Sequence, residues 1–392
     1  MRLVAAVAAL AALVTPSQQW WLDDYGFSQL EQTGKGVTIA VIDTGIDDTH
    51  PDLVGTVIAG RDFSGVGAPD GTAGVGPAGH HGTMVASLIA GQGSDLVGVR
   101  GVAPGAKLLS LSVGAGIKGA DTDTQIAQAV VWAVDRGADI INISLSRNSK
   151  TWPKSWDSAF SYAFDNDVVV VAASGNRLGE QANPSAPATI PGVVAVGGVS
   201  KDRVGAEFAS TTGISLAVTA PAEDLVGSYP GGQVRDWAGS SAAAPLVSGL
   251  IALMREADPS ASANDLIQRL IASSTDLGEP GFDAVYGFGV IDPRVAVESR
   301  LTAEQNPLGS LAEWVRLYRP SSNEQEAELL TPDQPAQSEV ELVQTSESAT
   351  NADLSDPNAV SWWLNPLLYW VLAPLAPLLW IYLRSKRDRN QS

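Results

Sequence analysis

VTIAVIDTGIDDTHPDL, residues 37 to 53, decides the fold. Its first six residues form a run with no polar alternation, which is how a strand buried on both faces reads. Asp43 stands where that run stops, and Gly45 permits the turn that follows. KLLSLSV (107–113), DIINISL (139–145), VVVVAAS (168–174) and GVVAVGGV (192–199) read the same way. Helical patterns alternate with them. In TDTQIAQAVVWAVDRGA (122–138), Ile126, Ala129, Val130, Ala133 and Val134 fall on one face, and Gly137 supplies a left-handed cap. Further helices are expected over 154–166, 241–257 and 263–274. Strands and helices in alternation imply an α/β fold of three layers, a mainly parallel central sheet with helices on both faces. No internal repeat is present. In such a sheet, binding and catalytic groups collect at the carboxyl ends of the strands.

Four features fall at such ends. Asp43 closes the first run; alone, it is as often a turn residue as a functional one. GHHGTMVASLIAGQG (79–93) places His81 at the start of a helix whose Ala86, Ser87 and Ala90 allow close packing. His80, its neighbour, would point elsewhere. SGN (174–176) ends another run, and Asn176 there is either a turn residue or a side-chain donor to a developing oxyanion. GSSAAAPLVSG (239–249) offers two serines, Ser240 and Ser241, ahead of small residues that would serve a packing helix equally well. Pro245 suits a first helical turn. The chain has no cysteine, so thiolate nucleophiles, thiolate metal sites and disulfides are excluded. Its histidines are His50, His80 and His81, so any histidine chemistry falls on one of these three.

Taken together, VIDTGID with HPDL, HGTMVAS, ASGN and GSSAAAP resemble the Asp, His, Asn and Ser boxes of the subtilisin-like serine proteases, over residues 36–295. The resemblance implies a three-layer subtilisin-like fold and a serine endopeptidase. It makes Ser241 the nucleophile, with Ser240 in the place of the family's threonine. His81 becomes the general base, Asp43 the group that fixes its tautomer, and Asn176 with the Ser241 N–H the oxyanion donors. It also implies that SVGAG (112–116) and SLS (144–146) flank the substrate backbone. The expected substrate-binding residues are Gly114, Ser144, Leu145, Ser146, Ser174 and Gly175. Ser146 stands where the family usually has glycine, which narrows the cleft. The triad requires no cofactor. The family often binds structural calcium; Asp47, Asp48, Asp52, Asp121 and Asp123 are candidate oxygen ligands, although no spacing resembles a defined calcium loop and solvated loop carboxylates explain them as well.

A narrower resemblance is to the mycosins, membrane-anchored subtilisin-like proteases of type VII secretion systems. It rests on QWWLDDYGFSQLEQTGKGVTIAVIDTGID (19–47), WAVDRGADIINISL (132–145) and PGVVAVGGV (191–199). Residues 18–35 are too few for a folding prodomain and are read as a permanent extension of the catalytic domain. The chain departs from the mycosin pattern in lacking cysteine pairs, and from the usual serine box in Ser240 and Ala242. Two other readings stay open: a scaffold that stabilises the secretion complex, and a general degradative protease of the cell surface.

The ends of the chain bear on location. Leu3 to Val14 is apolar, follows Met1 and Arg2, and precedes Thr15-Pro16-Ser17, as in a secretory signal peptide over residues 1–17. Residues 362–383, WWLNPLLYWVLAPLAPLLWIYL, carry no charge, and Arg384, Lys386, Arg387 and Arg389 follow at once. That pattern gives a transmembrane helix over 361–383 and a basic cytoplasmic tail over 384–392, with Pro374 and Pro377 predicting a kink. The expected organisation is a peptidase domain over 18–300, an acidic disordered linker over 301–360 and a single-pass anchor in the cell membrane, with the domain outside. With 43 acidic and 24 basic residues the net charge is −19, which disfavours a nucleic-acid partner.

Overall fold

The computed structural model of the chain describes residues 16–93, 98–177 and 183–319. In chain order its elements are α1 (Trp20–Asp24), β1 (Thr38–Asp43), β2 (Val57–Asp62), α2 (His81–Ala90), β3 (Lys107–Ser112), α3 (Thr122–Asp135) and β4 (Ile140–Ile143). Then come α4 (Lys154–Asp165), β5 (Val169–Ala173), β6 (Val194–Val199), β7 (Val218–Pro221) and the hairpin β8 (Leu225–Tyr229) and β9 (Gln233–Trp237). The remainder is helical: α5 (Ser240–Ala257), α6 (Ala263–Ser273), α7 (Pro293–Glu298) and α8 (Leu311–Tyr318).

Seven strands form one sheet in the order β2-β3-β1-β4-β5-β6-β7, and every pair in it is parallel. Alternate residues of β1 enter opposite layers, as the two-residue period of a strand requires. Ile39 and Val41 pack with Val85 and Leu88 of α2 and Leu246 and Leu250 of α5. Ala40 and Ile42 pack with Ile126 and Val130 of α3 and Trp156 and Phe160 of α4. The three layers expected from the sequence are therefore present. Gly137 has φ +74° and its N–H reaches Val134 O, closing α3 as expected.

The sequence does not announce β2, β7 or the hairpin. β2 is an edge strand of mixed burial, so VIAGRD has no continuous apolar run, and β7 has only four residues and ends in proline.

The expected domain boundary at residue 300 is corrected. Residues 301–319 are not tether: Ser310 caps α8 by accepting the Glu313 N–H, Leu311 is buried, and Trp314 lies 4.5 Å from Trp152. Arg319 completes the attachment by pairing with Asp157 at 2.8 Å. Leu311, Trp314 and Val315 of LAEWVRLY pay for that ordering, whereas the aromatic-free acidic composition starts only beyond Arg319. Residues 1–15 of the expected signal peptide over 1–17, the remainder of the expected linker, the expected span over 361–383 and the expected basic tail lie outside the described residues. Among the described residues no helix is long and apolar enough to cross a membrane.

The N-terminal extension is built into the core. Trp20, Trp21, Leu22, Tyr25 and Phe27 are buried in the cluster that also holds α2 and α5, and Trp20 Nε1 donates to Asp224 O at 3.0 Å.

Candidate active site

Asp43 ends β1 and is fully buried, with its Oδ1 accepting the Thr44 N–H at 2.7 Å. His81 is the first residue of α2. Thr44 links the two elements, because its Oγ1 accepts the Gly82 N–H at 3.0 Å and donates to Ala78 O at 3.2 Å. Glycine at 82 is required by close approach: a Cβ there would sit 2.4 Å from Gly45 O. The helix start thus rests directly on the strand-end turn, and His81 Nδ1 reaches Asp43 Oδ1 at 2.8 Å and Oδ2 at 3.0 Å.

The carboxylate can only accept, so Nδ1 carries the proton and Nε2 is left as the basic nitrogen. Burial disfavours the charged ring, but the charge and hydrogen bond of Asp43 outweigh it and raise the His81 pKa above the ordinary 6.5. Trp237 of β9 meets the His81 ring edge-on, with centroids 5.5 Å apart. His80 points elsewhere, stacked on Tyr229 at 4.8 Å, and its pKa is lowered by burial and by the neighbouring His81 charge. His50 is structural: its Nδ1 accepts the Asp52 N–H and its Nε2 contacts Gln233 O at 3.0 Å, tying the HPDL turn to β9.

Asn176 follows β5 and faces the start of α5. Its Oδ1 accepts both the Ser240 N–H at 2.9 Å and the Ser240 hydroxyl at 3.0 Å, while Ser240 Oγ accepts the Gly175 N–H at 3.0 Å. A backbone N–H can only donate, so the amide oxygen must face Ser240, and Nδ2 lies beside Gly239, 2.8 Å from where a Cβ there would stand. This gives Ser240 a job that its sequence position alone did not reveal.

Ser241 is the second residue of α5, and its N–H belongs to the first turn, which no intrahelical carbonyl reaches. Its hydroxyl donates to Ser144 O at 2.9 Å and not to His81, which differs from the simple triad expectation. Pro245 is the sixth helical residue, not a first-turn one; lacking an N–H, it leaves the Ser241 carbonyl without its intrahelical partner.

Of the expected substrate strip, Ser144 is buried just past β4 and Ser146 is exposed. Ser146 Oγ lies 3.8 Å from where a Cβ on Gly175 would stand, so 144–146 and 174–176 run side by side. The Ser174 carbonyl accepts the Thr211 hydroxyl at 3.0 Å, and Gly175 O accepts the Thr211 N–H at 2.9 Å. Leu145 is half-buried against the α3–α4 layer. Gly114 is held by α3, its N–H donating to Gln125 Oε1 at 2.7 Å and its carbonyl accepting Thr122 Oγ1 at 3.2 Å. A relay not foreseen from the sequence fixes Ser144: Ser248 of α5 donates to Asn142 Oδ1 at 2.8 Å, and Asn142 Nδ2 donates to Ser144 Oγ at 3.0 Å. The available signal was Asn142, a polar residue inside an apolar strand.

Four of the five candidate calcium ligands are engaged separately. Asp121 caps α3 and Asp123 pairs with Arg147 at 2.9 Å. Asp52 accepts Ser228 Oγ at 2.6 Å and the Val99 N–H at 2.9 Å, and Asp47 accepts from Thr49 and Gly231. Among the described residues no three acidic or histidine side chains gather into a metal site. An apolar cavity of about 690 Å³, lined by Trp152, Ile190, Ile214, Phe282, Phe288 and Trp314 among others, contains none of the catalytic candidates.

This geometry agrees with what the chain is similar to. The model of the subtilase family matches residues 34–289. Fervidolysin of Fervidobacterium pennivorans is 31% identical over 74% of this chain, which spans only 45% of that relative's length. Subtilisin DY of Bacillus licheniformis is 34% identical, covering 68% of this chain and 92% of the relative. The crystal structure of MycP1 from Mycobacterium smegmatis superposes with a TM-score of 0.63 at 28% identity, over 73% of this chain and 86% of that one. With the parallel sheet, the His81 pair with the buried Asp43 and the Ser241 helix start in place, the chain belongs to the subtilase family.

Proposed function

We propose that the protein is a serine endopeptidase in which Asp43, His81 and Ser241 form the catalytic triad. The observation that carries this is the double contact of His81 Nδ1 with the buried Asp43 carboxylate, which leaves Nε2 as a base at the carboxyl edge of the sheet. Ser241 Oγ attacks the peptide carbonyl carbon while its proton passes to His81 Nε2. Asn176 Nδ2 and the Ser241 N–H stabilise the oxyanion. As the intermediate collapses, the C–N bond breaks and His81 returns the proton to the leaving amine. Water then repeats the cycle on the acyl-enzyme, releasing the acid and restoring Ser241. The peptide lies as an added strand along 144–146 and 112–116, with Ser174 and Gly175 beside it.

The base works only when neutral, so the raised His81 pKa places the acid limb of activity above the ordinary histidine value of 6.5. Against a peptide substrate, kcat/KM is expected to fall about tenfold per pH unit below that limb. A profile still flat at pH 6 would contradict the assignment of His81. Asn176→Ala is expected to lower kcat about 10²- to 10³-fold with KM little changed, as loss of one oxyanion donor does. Covalent labelling by a fluorophosphonate, blocked by competing peptide, tests the peptidase reading directly.

The setting we propose is the outer face of the cell membrane beside a type VII secretion system, with the chain acting on exported proteins. In support, the structural neighbours MycP1 and MycP3 come from the ESX-1 and ESX-3 type VII systems. The uncharged run at 362–383 with its basic flank supports anchoring. Deleting the gene should leave exported proteins unprocessed, read by mass spectrometry of the culture medium, and Ser241→Ala should not restore processing. Restored processing by that variant would favour the scaffold role.

A further inference from the structure

The apolar cavity of about 690 Å³ holds none of the triad, and its wall includes large apolar side chains that face water. Ile214 is 89% exposed and Phe282 is 42% exposed. Neither is loosely held. The Gly213 N–H donates to Ala284 O at 2.8 Å, and a Cβ on Gly213 would meet the Pro184 ring at 2.6 Å, so the residue before Ile214 is clamped from two sides. Phe282 packs against Phe288 with ring centroids 5.3 Å apart. Single exposed apolar residues are ordinary, but several fixed around one concavity mark a surface that another apolar segment covers.

The place where the chain leaves the domain identifies that segment. Trp314 and Arg319 belong to the same wall, and Arg319 is the last described residue, so residues 320–392 depart from the rim of the cavity. The first adjacent pair of large apolar residues beyond the exit is Leu329 and Leu330, in EQEAELLTP (324–332). Ten residues of chain separate Leu329 from Arg319. Such a length reaches at most about 33–36 Å, and the nearest apolar pair closes the smallest loop. Charge agrees with this choice. Glu324, Glu326 and Glu328 precede the leucines, and the exposed Lys150 lines the cavity. A second copy of the chain would bring another net charge of −19 and be repelled.

We propose that Leu329 and Leu330 dock in this cavity, with the glutamates before them toward Lys150, so that the tether is pinned to the catalytic domain just past its exit. The free length of the tether then starts after Pro332 and not after Arg319. Docking there leaves the triad untouched and does not depend on the peptidase reading.

The chain has no cysteine, so a thiol introduced by Ile214→Cys is the sole one and reports on the cavity wall. The test uses the full chain, one copy per lipid nanodisc, which keeps detergent out of an apolar cavity and separates neighbouring copies. Maleimide labelling is timed with the tether intact and with Leu329→Ser and Leu330→Ser together. A short linker gives an effective concentration in the millimolar range, and labelling is expected to run about tenfold faster once the leucines are removed. Equal rates overturn the proposal, whether the cavity is uncovered or is covered by a small molecule, by lipid or by another protein. Phe282→Cys probes the same wall and is expected to show the same ratio. Ile58→Cys, 56% exposed on β2 at the other edge of the sheet, is expected to show no difference. A change at Ile58 as large as that at Ile214 would mean that the serines loosen the whole domain, which also overturns the proposal.

Discussion

Ser241→Ala is expected to lower kcat by about 10⁶-fold, the scale that subtilisin itself sets for loss of its serine, and to abolish fluorophosphonate labelling. Ser240→Ala, one residue away, is expected to label and to turn over, with kcat reduced roughly tenfold. The contrast follows from what the two hydroxyls touch. Ser241 is half-buried, with its Oγ at the Ser144 carbonyl, while Ser240 is fully buried, with its Oγ between the Gly175 N–H and Asn176 Oδ1. Removing the Ser240 hydroxyl leaves its backbone N–H still holding the Asn176 oxygen, so the amide loses one of two restraints. It also leaves the Gly175 N–H without its acceptor, a cost of about 1–3 kcal/mol to stability. Steady-state kinetics and thermal melts on both variants decide the matter. A dead Ser240→Ala with an active Ser241→Ala would reverse the assignment.

Trp21→Ala carries the second large effect. Trp21 is 0% exposed and belongs to the same core cluster as α2 and α5, so truncation should cost about 3–5 kcal/mol. Against a typical margin of about 5–15 kcal/mol this is a large share of the whole. Urea unfolding of the domain should show the midpoint shift, with alanine at the exposed Asp23 as a near-neutral control. A loss under about 1 kcal/mol would mean that the N-terminal stretch is an add-on and not part of the core. The expected result agrees with reading residues 18–35 as permanent.

How much of this was legible in the sequence depended on the range of the forces involved. The inner strands β1, β3, β4, β5 and β6 are buried on both faces, so their apolar runs could be read directly. β2 and β9 are largely half-buried or exposed and so have no continuous apolar run, whereas β8 is buried but short, with Gly227 and Ser228 breaking its apolar pattern. Asp43, His81, Asn176 and Ser241 were legible because each sits in a local motif. The hydrogen bonds that aim them were not, since Ser240 meets Asn176 across 64 residues and Ser248 meets Asn142 across 106. Nor could the hydrogen-bond partner of Ser241 be read, because it is a main-chain carbonyl and any residue type supplies one. The extension of the domain past residue 300 was hidden by the acidic composition of the linker, which outweighs the short amphipathic spacing of Leu311, Trp314 and Val315.

The attachment of Arg319 has a mechanical side. Its guanidinium lies over the rings of Trp152 and Trp314 at 5.8 and 5.3 Å, pairs with Asp157 of α4 and donates to Trp152 O. A pull on the chain at this exit would load α4 and its layer through several contacts at once, before α8 could be peeled away. Force arriving there would be spread into the side of the sheet opposite α2 and α5, away from the helices that carry His81 and Ser241.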